Sequence, residues 1–94
     1  MHIKVRFIGL TRTAAGTPED TVEIGGNTVG NVIDVLVARY GDRFRQEIFQ
    51  PDGSIKKSIK VFLNGSSISY DTPLQEAIVN EGDTLDIFPP FFGG

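Results

Sequence analysis

One helical stripe limits, more than any other feature, what this chain can fold into. Between residues 28 and 40, apolar side chains recur at steps of three and four, so they share one face of a helix. Thr28 is suited to cap the first turn, and Gly41 stands where the helix is expected to end. A single amphipathic helix cannot bury its apolar face alone, so it must pack on a sheet. The residues of the stripe are Val29, Val32, Ile33, Leu36, Val37 and Tyr40.

Short alternating segments on both sides of this helix supply the strands of that sheet. Alternation of apolar and polar residues is typical of a strand with one buried face. Asn64-Gly65 predicts a tight hairpin into a return strand that contains Ile68. The first and last strands are expected to be neighbours in the centre of the sheet, because both alternate strongly and lack internal proline. The predicted strands span residues 2–7, 21–24, 59–63 and 84–88.

The segments between these elements carry weaker patterns. Residues 11–20 contain glycine and proline and are predicted to be a connecting loop. Residues 42–57 are consistent with one apolar helical turn followed by a tight turn, and residues 71–77 fit a short capped helical turn. The predicted fold class is α+β, with a mixed sheet of four to five strands packed on one main helix. The apolar residues of the first of these turns are Phe44, Ile48 and Phe49.

The composition excludes most familiar catalytic and metal sites. The chain has no cysteine, which rules out disulfides, thiolate zinc sites and a cysteine nucleophile. His2 is its one histidine, so a two-histidine metal site cannot form. We therefore expect the chain to bind no metal and not to act as an enzyme in its own right.

The charge balance and the apolar runs bear on the environment of the chain. Nine basic and twelve acidic residues give a formal net charge of −3, which provides no general attraction for nucleic acid or an anionic membrane. The longest strongly apolar run, residues 35–38, is far shorter than the ~20 residues of a membrane span. The expected location is the cytoplasm, with no nucleic-acid or membrane partner.

The last six residues differ from the rest of the chain. Pro89-Pro90 cannot continue a central strand, because proline has no N–H to donate to the ladder. We therefore expect the folded domain to span residues 1–88 and an extended tail to span residues 89–94. The tail ends in Phe91-Phe92 and Gly93-Gly94, without a hydroxyl or a charged side chain.

The order of the elements resembles the ubiquitin-like β-grasp fold, with Asn64-Gly65 before the fourth strand and Glu81-Gly82-Asp83 before the last. The ending from Ile87 to Gly94 is a more specific match. It is similar to the small sulfur carriers of the molybdopterin-synthase small-subunit and thiamine sulfur-carrier families, and to archaeal small ubiquitin-like modifiers. Asp52-Gly53 followed by basic residues looks most like the archaeal members and the cysteine-synthesis carriers. The resemblance covers the whole chain.

This resemblance implies a chemistry for the terminal glycines. An E1-like adenylating enzyme would activate the carboxylate of Gly94, and a persulfide donor would then convert it into a thiocarboxylate. AMP and sulfur would be attached to Gly94 only transiently, and no cofactor would be bound permanently. The sulfur acceptor implied first is the large subunit of molybdopterin synthase, in molybdenum-cofactor biosynthesis. Gly93 and Gly94 have no Cβ, so they can pass through a narrow enzyme channel, and Pro89 and Pro90 stiffen the exit from the last strand.

Other interpretations stay open. The chain can be a ubiquitin-like modifier joined through Gly94 to lysines, or a carrier for thiamine, tRNA thiolation or cysteine synthesis. A third possibility is a plain β-grasp interaction module. The tail also departs from the family, in which small residues commonly stand where this chain has Phe91 and Phe92. Two aromatic rings there could fill a hydrophobic slot on a dedicated partner, or block the channel of a standard one.

A docking surface is predicted beside this tail. Phe62 and Phe88 fall on the polar-facing phase of two strands that should be adjacent, so they are expected to form an outward aromatic pair. Asp83 and Asp86 fall on the same kind of position and are predicted to be exposed to solvent. The predicted partner-binding residues are Phe62, Phe88, Pro89, Pro90, Phe91 and Phe92.

Overall fold

The computed structural model describes residues 1–56, 58–68, 73 and 76–88. Its five strands form one mixed sheet, in which the first strand is antiparallel to the second and parallel to the last. The order across the sheet is β2-β1-β5-β3-β4, so β1 and β5 are neighbours in its middle, as the sequence predicts. The strands are β1 (His2–Phe7), β2 (Glu19–Glu23), β3 (Lys60–Leu63), β4 (Ser66–Ser67) and β5 (Thr84–Phe88).

The main helix, α2 (Val29–Tyr40), lies where the apolar stripe predicts it. Thr28 caps its first turn: the Thr28 hydroxyl accepts a hydrogen bond from the N–H of Asn31 at 3.2 Å. The Asn31 side chain accepts one in return from the N–H of Thr28 at 3.1 Å. These two bonds form a capping box, which satisfies backbone donors that the helix itself cannot pair.

The core lies between this helix and the inner face of the sheet. Phe7 stands at its centre, with ring centroids 5.7 Å from those of Tyr40 and Phe44, both in edge-on contact. Edge-on aromatic pairs add to the stability that area burial alone provides. The buried apolar residues are Ile3, Val5, Phe7, Val22, Ile24, Val29, Val32, Ile33, Leu36, Phe44, Ile48, Ile59, Val61, Val79, Leu85 and Ile87.

The prediction of a loop over residues 11–20 is wrong. A short helix, α1 (Leu10–Ala15), follows β1 directly, and β2 begins at Glu19. Gly16 ends α1 in the left-handed region at φ 79°, a conformation that glycine adopts without the strain a Cβ brings. A six-residue helix with a single fully buried side chain, Thr11, leaves no apolar stripe in the sequence to reveal it.

Residues 42–57 contain more helix than the single turn the sequence predicts. A third helix, α3 (Asp42–Ile48), buries Phe44 and Ile48 completely, so helices other than α2 also cover the sheet. The hairpin at Asn64-Gly65 is confirmed, with both residues at positive φ, as a tight two-residue turn requires. Its return strand ends at Ser67, so Ile68 lies just beyond it and donates its N–H to the carbonyl of Val61 at 3.0 Å.

The end of α2 is tied to the edge strand β2 by a polar cluster. The Tyr40 hydroxyl donates to the Asp20 carboxylate, and Arg39 donates to the same carboxylate at 2.6 Å. Burial raises the pKa of Tyr40, and the bond to Asp20 raises it further, to about 12. Burial also acts to raise the pKa of Asp20, but the hydrogen bonds from Tyr40 and Arg39 outweigh it and hold that pKa below its ordinary value.

Among the helices in the described ranges, none has the length and apolar character to cross a membrane. The predicted helical turn at residues 71–77 lies largely outside the described residues.

Candidate functional site

The outer face of the sheet, which points away from the buried core, carries the described residues that stand next to the tail. Val61 and Ile87 pair across β3 and β5 and are both buried. Side chains alternate between the two faces of a strand, so their neighbours Phe62 and Phe88 project from the outer face. β5 ends at Phe88, directly before the tail.

Phe62 and Phe88 form the aromatic pair that the sequence predicts. Their ring centroids lie 5.0 Å apart at an interplanar angle of 70°, an edge-on arrangement. Phe62 is directly opposite Asp86 and Phe88 is opposite Lys60, so the two rings meet across the diagonal of the ladder. Both rings are half-buried. Their position is confirmed, and their role in docking stays a prediction.

Ile8 extends this apolar surface and was not predicted. It lies just after β1, is 39% exposed, and donates its N–H to the carbonyl of Ile87 at 3.1 Å. In the parallel ladder of β1 and β5, Lys4 is paired with Thr84 and donates its N–H to the carbonyl of the preceding residue, Asp83. Ile8 donates to Ile87 in the same way, so the residue beside Ile8 on β5 is Phe88. The signal was present in the sequence, because Ile8 continues the outward phase of β1.

We call Ile8, Phe62 and Phe88 the apolar patch. It lies at the end of the sheet from which the tail leaves. Three large apolar side chains that remain partly exposed beside one another are typical of a protein-binding surface.

An ion pair flanks the apolar patch and corrects one prediction. Asp86 is only 8% exposed, although the alternation of β5 predicts a solvent-exposed side chain. Arg6 stands opposite it on β1 and binds its carboxylate with two hydrogen bonds, from Nε at 2.5 Å and from Nη2 at 2.7 Å. These bonds and the charge of Asp86 raise the pKa of Arg6. The error arose because strand phase gives the face of a side chain but not what covers it.

Thr11 fixes the backbone from which the tail emerges. Its side chain is fully buried, and its hydroxyl accepts a hydrogen bond from the N–H of Ile8 at 3.0 Å. The hydroxyl has two carbonyl acceptors within reach, Ile8 at 2.7 Å and Ile87 at 3.1 Å. It therefore links the end of β1 to the end of β5. Sequence reasoning missed this residue, because nothing distinguishes it from other threonines.

The residues that would carry the chemistry lie beyond this surface. Pro89, Pro90, Phe91, Phe92, Gly93 and Gly94 are outside the described residues, so their predicted roles stay predictions. Within the described part of the chain, no group of three histidine or carboxylate side chains is arranged to hold a metal ion.

Comparison with known proteins decides the family. Residues 5–94 match the ThiS family, a span that includes the terminal glycines. The chain belongs to this family of ubiquitin-like sulfur carriers and modifiers. The resemblance stated from the sequence is therefore confirmed, and so is the β-grasp fold. The homologues of this chain are small carrier and modifier proteins, not enzymes.

The chain is similar to other small proteins over all or nearly all of its length. Small archaeal modifier protein 3 of Haloferax volcanii is 28% identical, over the full length of both chains. The crystal structure of SAMP1 from the same organism has a TM-score of 0.84, 29% identity and full coverage of both chains. A chain of the Amycolatopsis orientalis BexX/CysO complex has a TM-score of 0.76 and 29% identity, covering 98% of this chain and 99% of that one.

Proposed function

We propose that this ThiS-family chain is a sulfur carrier that is loaded at Gly94 and that docks through the apolar patch. The observation that carries the proposal is the family match over residues 5–94, which extends through the Gly93-Gly94 end. The chain has no cysteine, so the C-terminal carboxylate is the plausible place for activated sulfur.

The proposed loading reaction has three steps. A carboxylate oxygen of Gly94 attacks the α-phosphorus of ATP, and pyrophosphate leaves. A persulfide on a donor protein then attacks the acyl carbon, AMP leaves, and an acyl disulfide forms. A thiol of the loading machinery reduces that disulfide, which releases the thiocarboxylate and leaves a disulfide on the loading machinery. The partner enzyme supplies every catalytic group, and this chain supplies the acyl group and the docking surface.

The first acceptor that we propose is the large subunit of molybdopterin synthase, for which the chain would act as the small sulfur-donating subunit. The support is the resemblance of the residues from Ile87 to Gly94 to that class of carrier. The proposed site of this chemistry is the cytoplasm, where an adenylating enzyme and ATP are both present.

A second candidate function is protein modification through Gly94. It is favoured by the full-length similarity to a small archaeal modifier protein and to SAMP1. Adenylation of Gly94 would be the same, but the amine of a target lysine would then attack the acyl carbon, AMP would leave, and an isopeptide bond would form without a reduction step. One activated carboxylate can serve both functions, so the two proposals do not exclude each other.

Intact-mass spectrometry tests the loading reaction. Purified chain is incubated with an E1-like adenylating enzyme, ATP and a persulfide donor, and its mass is compared with that of a chain that lacks Gly94. We expect the wild-type chain alone to gain the mass difference of one oxygen replaced by sulfur. Loading of the truncated chain, or no loading of the wild-type chain, would contradict the proposal. Gly-Gly remnants on lysines of cellular proteins would establish the second function.

A further inference from the structure

A surface groove lies beside α3 and shares no residue with the apolar patch. One of its walls is the solvent-facing side of the helix, where residues at positions 42, 45, 46 and 49 follow the spacing of a single helical face. Phe44 and Ile48 occupy the opposite side of α3 and anchor it in the core. The groove has a volume of about 580 Å³. It is lined by Asp42, Arg45, Gln46, Phe49, Gln50, Pro51 and Lys56.

The second wall of the groove is a turn that is fixed to α3. The N–H of Gln50 donates to the carbonyl of Ser54 at 2.7 Å, which closes the turn. The N–H of Lys56 donates to the carbonyl of Ile48 at 2.9 Å, so the chain after the turn returns to the helix. These bonds hold the two walls in a defined relation, and we call the space between them the α3 groove.

The polar lining of the α3 groove is mainly cationic. Arg45 and Lys56 supply two positive charges, against one carboxylate from Asp42. Neither cation has an ion pair within the described ranges, whereas Lys4, Arg6 and Arg39 are each paired with a carboxylate. The remaining lining consists of two amides, the half-buried ring of Phe49 and Pro51.

The α3 groove lies at the end of the molecule from which the tail leaves. The ring of Phe44 on α3 contacts Phe7, which is paired with Ile87 near the end of β5. From the other wall, the chain reaches Lys60 four residues after Lys56, and Lys60 is paired with Phe88. An enzyme that encloses the tail must therefore cover surface within reach of the groove.

We propose that the α3 groove binds an acidic segment of the enzyme that receives the C-terminal tail, an inference that rests on the function proposed above. Carboxylates of that segment pair with Arg45 and Lys56, and an apolar side chain packs on Phe49 and Pro51. Charge complementarity of this kind raises association rates and sets partner choice. A short acidic protein segment fits better than nucleic acid, because it can supply an apolar side chain for Phe49 and Pro51. A long polyanion would extend beyond the two cations and be repelled by the net charge of −3.

The first test is the kinetics of thiocarboxylate formation with the adenylating enzyme, at low and at high salt. We expect the double variant Arg45→Ala/Lys56→Ala to raise the KM for the carrier about tenfold at low salt, with kcat unchanged, because rim charges act mainly on encounter. We also expect the salt dependence of KM to become weaker, since exposed charges are screened by ions.

Arg43→Ala is the matched control. Arg43 is an exposed arginine on the same helix, but it does not line the α3 groove. We expect its KM to stay within about twofold of wild type, as is usual for a surface charge outside an interface. An unchanged KM and salt dependence in the double variant would overturn the inference, and so would an equal loss in Arg43→Ala.

A second measurement is independent of sulfur loading, so it separates failure of this inference from failure of the proposed function. The wild-type chain is titrated in three separate experiments, and its amide NMR chemical shifts are recorded. The ligands are the acetylated peptide Glu-Asp-Leu-Glu-Asp, its neutral counterpart Gln-Asn-Leu-Gln-Asn, and inorganic phosphate. We expect shifts in α3 and residues 49–56 with the acidic peptide only. No shifts, shifts elsewhere, or equal shifts with phosphate would overturn the inference even if loading proceeds normally.

Discussion

The two faces of the sheet are built from the same strands, but they bury their side chains very differently. On the inner face, Val5, Phe7 and Ile87 are at most 2% exposed and touch the helices. On the outer face, Phe62 and Phe88 contact each other and stay half-buried, and Ile8 beside Phe88 is 39% exposed. The difference teaches that hydrophobicity serves two purposes in this chain. The inner face stabilises the fold, and the outer face leaves apolar area available for a partner.

The largest expected effect is on the inner face. Phe7→Ala should lower the free energy of unfolding by about 3–5 kcal/mol, because it removes a ring at the centre of an aromatic cluster and leaves a cavity. Phe62→Ala, the matched change on the outer face, should cost only about 1 kcal/mol, the scale of one exposed aromatic pair. Denaturant unfolding of both variants measures this. Equal losses would remove the distinction between the faces.

A smaller effect is expected on binding. Ile8→Asp places a charge beside Phe88, and it should raise the KM of sulfur loading about tenfold while kcat stays the same, as expected for loss of an apolar interface contact. Thr13→Asp, a change on the exposed surface of α1, is the control and should leave KM unchanged. A wild-type KM for Ile8→Asp would exclude Ile8 from the docking surface.

The next prediction concerns Tyr40, at the junction of α2 and β2. Tyr40→Phe should cost about 1 kcal/mol at neutral pH, the usual net contribution of one hydrogen bond. Tyrosine in the unfolded chain loses its proton near pH 10, whereas Tyr40 in the folded chain keeps it to about 12. The folded state binds more protons in this window, so wild-type stability should fall as pH rises through it.

Unfolding measured from pH 8 to 12 tests this sign. The difference between wild type and Tyr40→Phe should shrink as pH rises above 10. The contribution of Asp20 to stability has the opposite pH dependence, because its pKa is lowered in the folded chain. This contribution is present above the ordinary pKa of aspartate and is lost as pH falls through the lowered pKa. A difference between the two chains that does not change at alkaline pH would contradict the assigned role of the Tyr40 hydroxyl.

The smallest effect is expected at the Arg6–Asp86 ion pair on the outer face, because the Arg6 side chain is 49% exposed and solvent screens the pair. Removing one partner leaves the other charge without compensation, so Arg6→Leu and Asp86→Leu should each lower the denaturation midpoint. The double variant should be more stable than either single variant, because it leaves no unpaired charge. A double-mutant cycle measures the coupling free energy between Arg6 and Asp86. Additive losses of stability in the double variant would show that the two residues do not act as a unit.

The elements that were predicted correctly are those that depend on a local sequence pattern. The stripe of α2, the cap at Thr28 and the Asn64-Gly65 turn each depend on local chemistry, and all three are confirmed. The short helices α1 and α3 were missed or shortened, because six or seven residues hold too few turns to display a periodic face.

The candidate site was predicted only in part, because the sequence shows the phase of each strand but not the contacts between strands. Phase alone placed Phe62 and Phe88 on the outer face, and their ring contact confirms it. Strand phase could not predict that Asp86 is buried, because its burial depends on neighbouring strands. Arg6, which binds its carboxylate, is 80 residues away in sequence, and Phe62 lies opposite it on β3. The α3 groove was also beyond prediction, since it depends on how the turn after Phe49 folds back on the helix.

The most direct test of the division between the faces is the rate of thiocarboxylate formation as a function of carrier concentration, for wild type and Phe62→Asp. Unfolding curves recorded in parallel establish that the variant stays folded. We predict that both chains gain the same mass and reach the same maximal rate. The carrier concentration that gives the half-maximal rate should be at least about tenfold higher for Phe62→Asp than for wild type. Superimposable curves for the two folded chains would contradict the claim that the outer face is the docking surface.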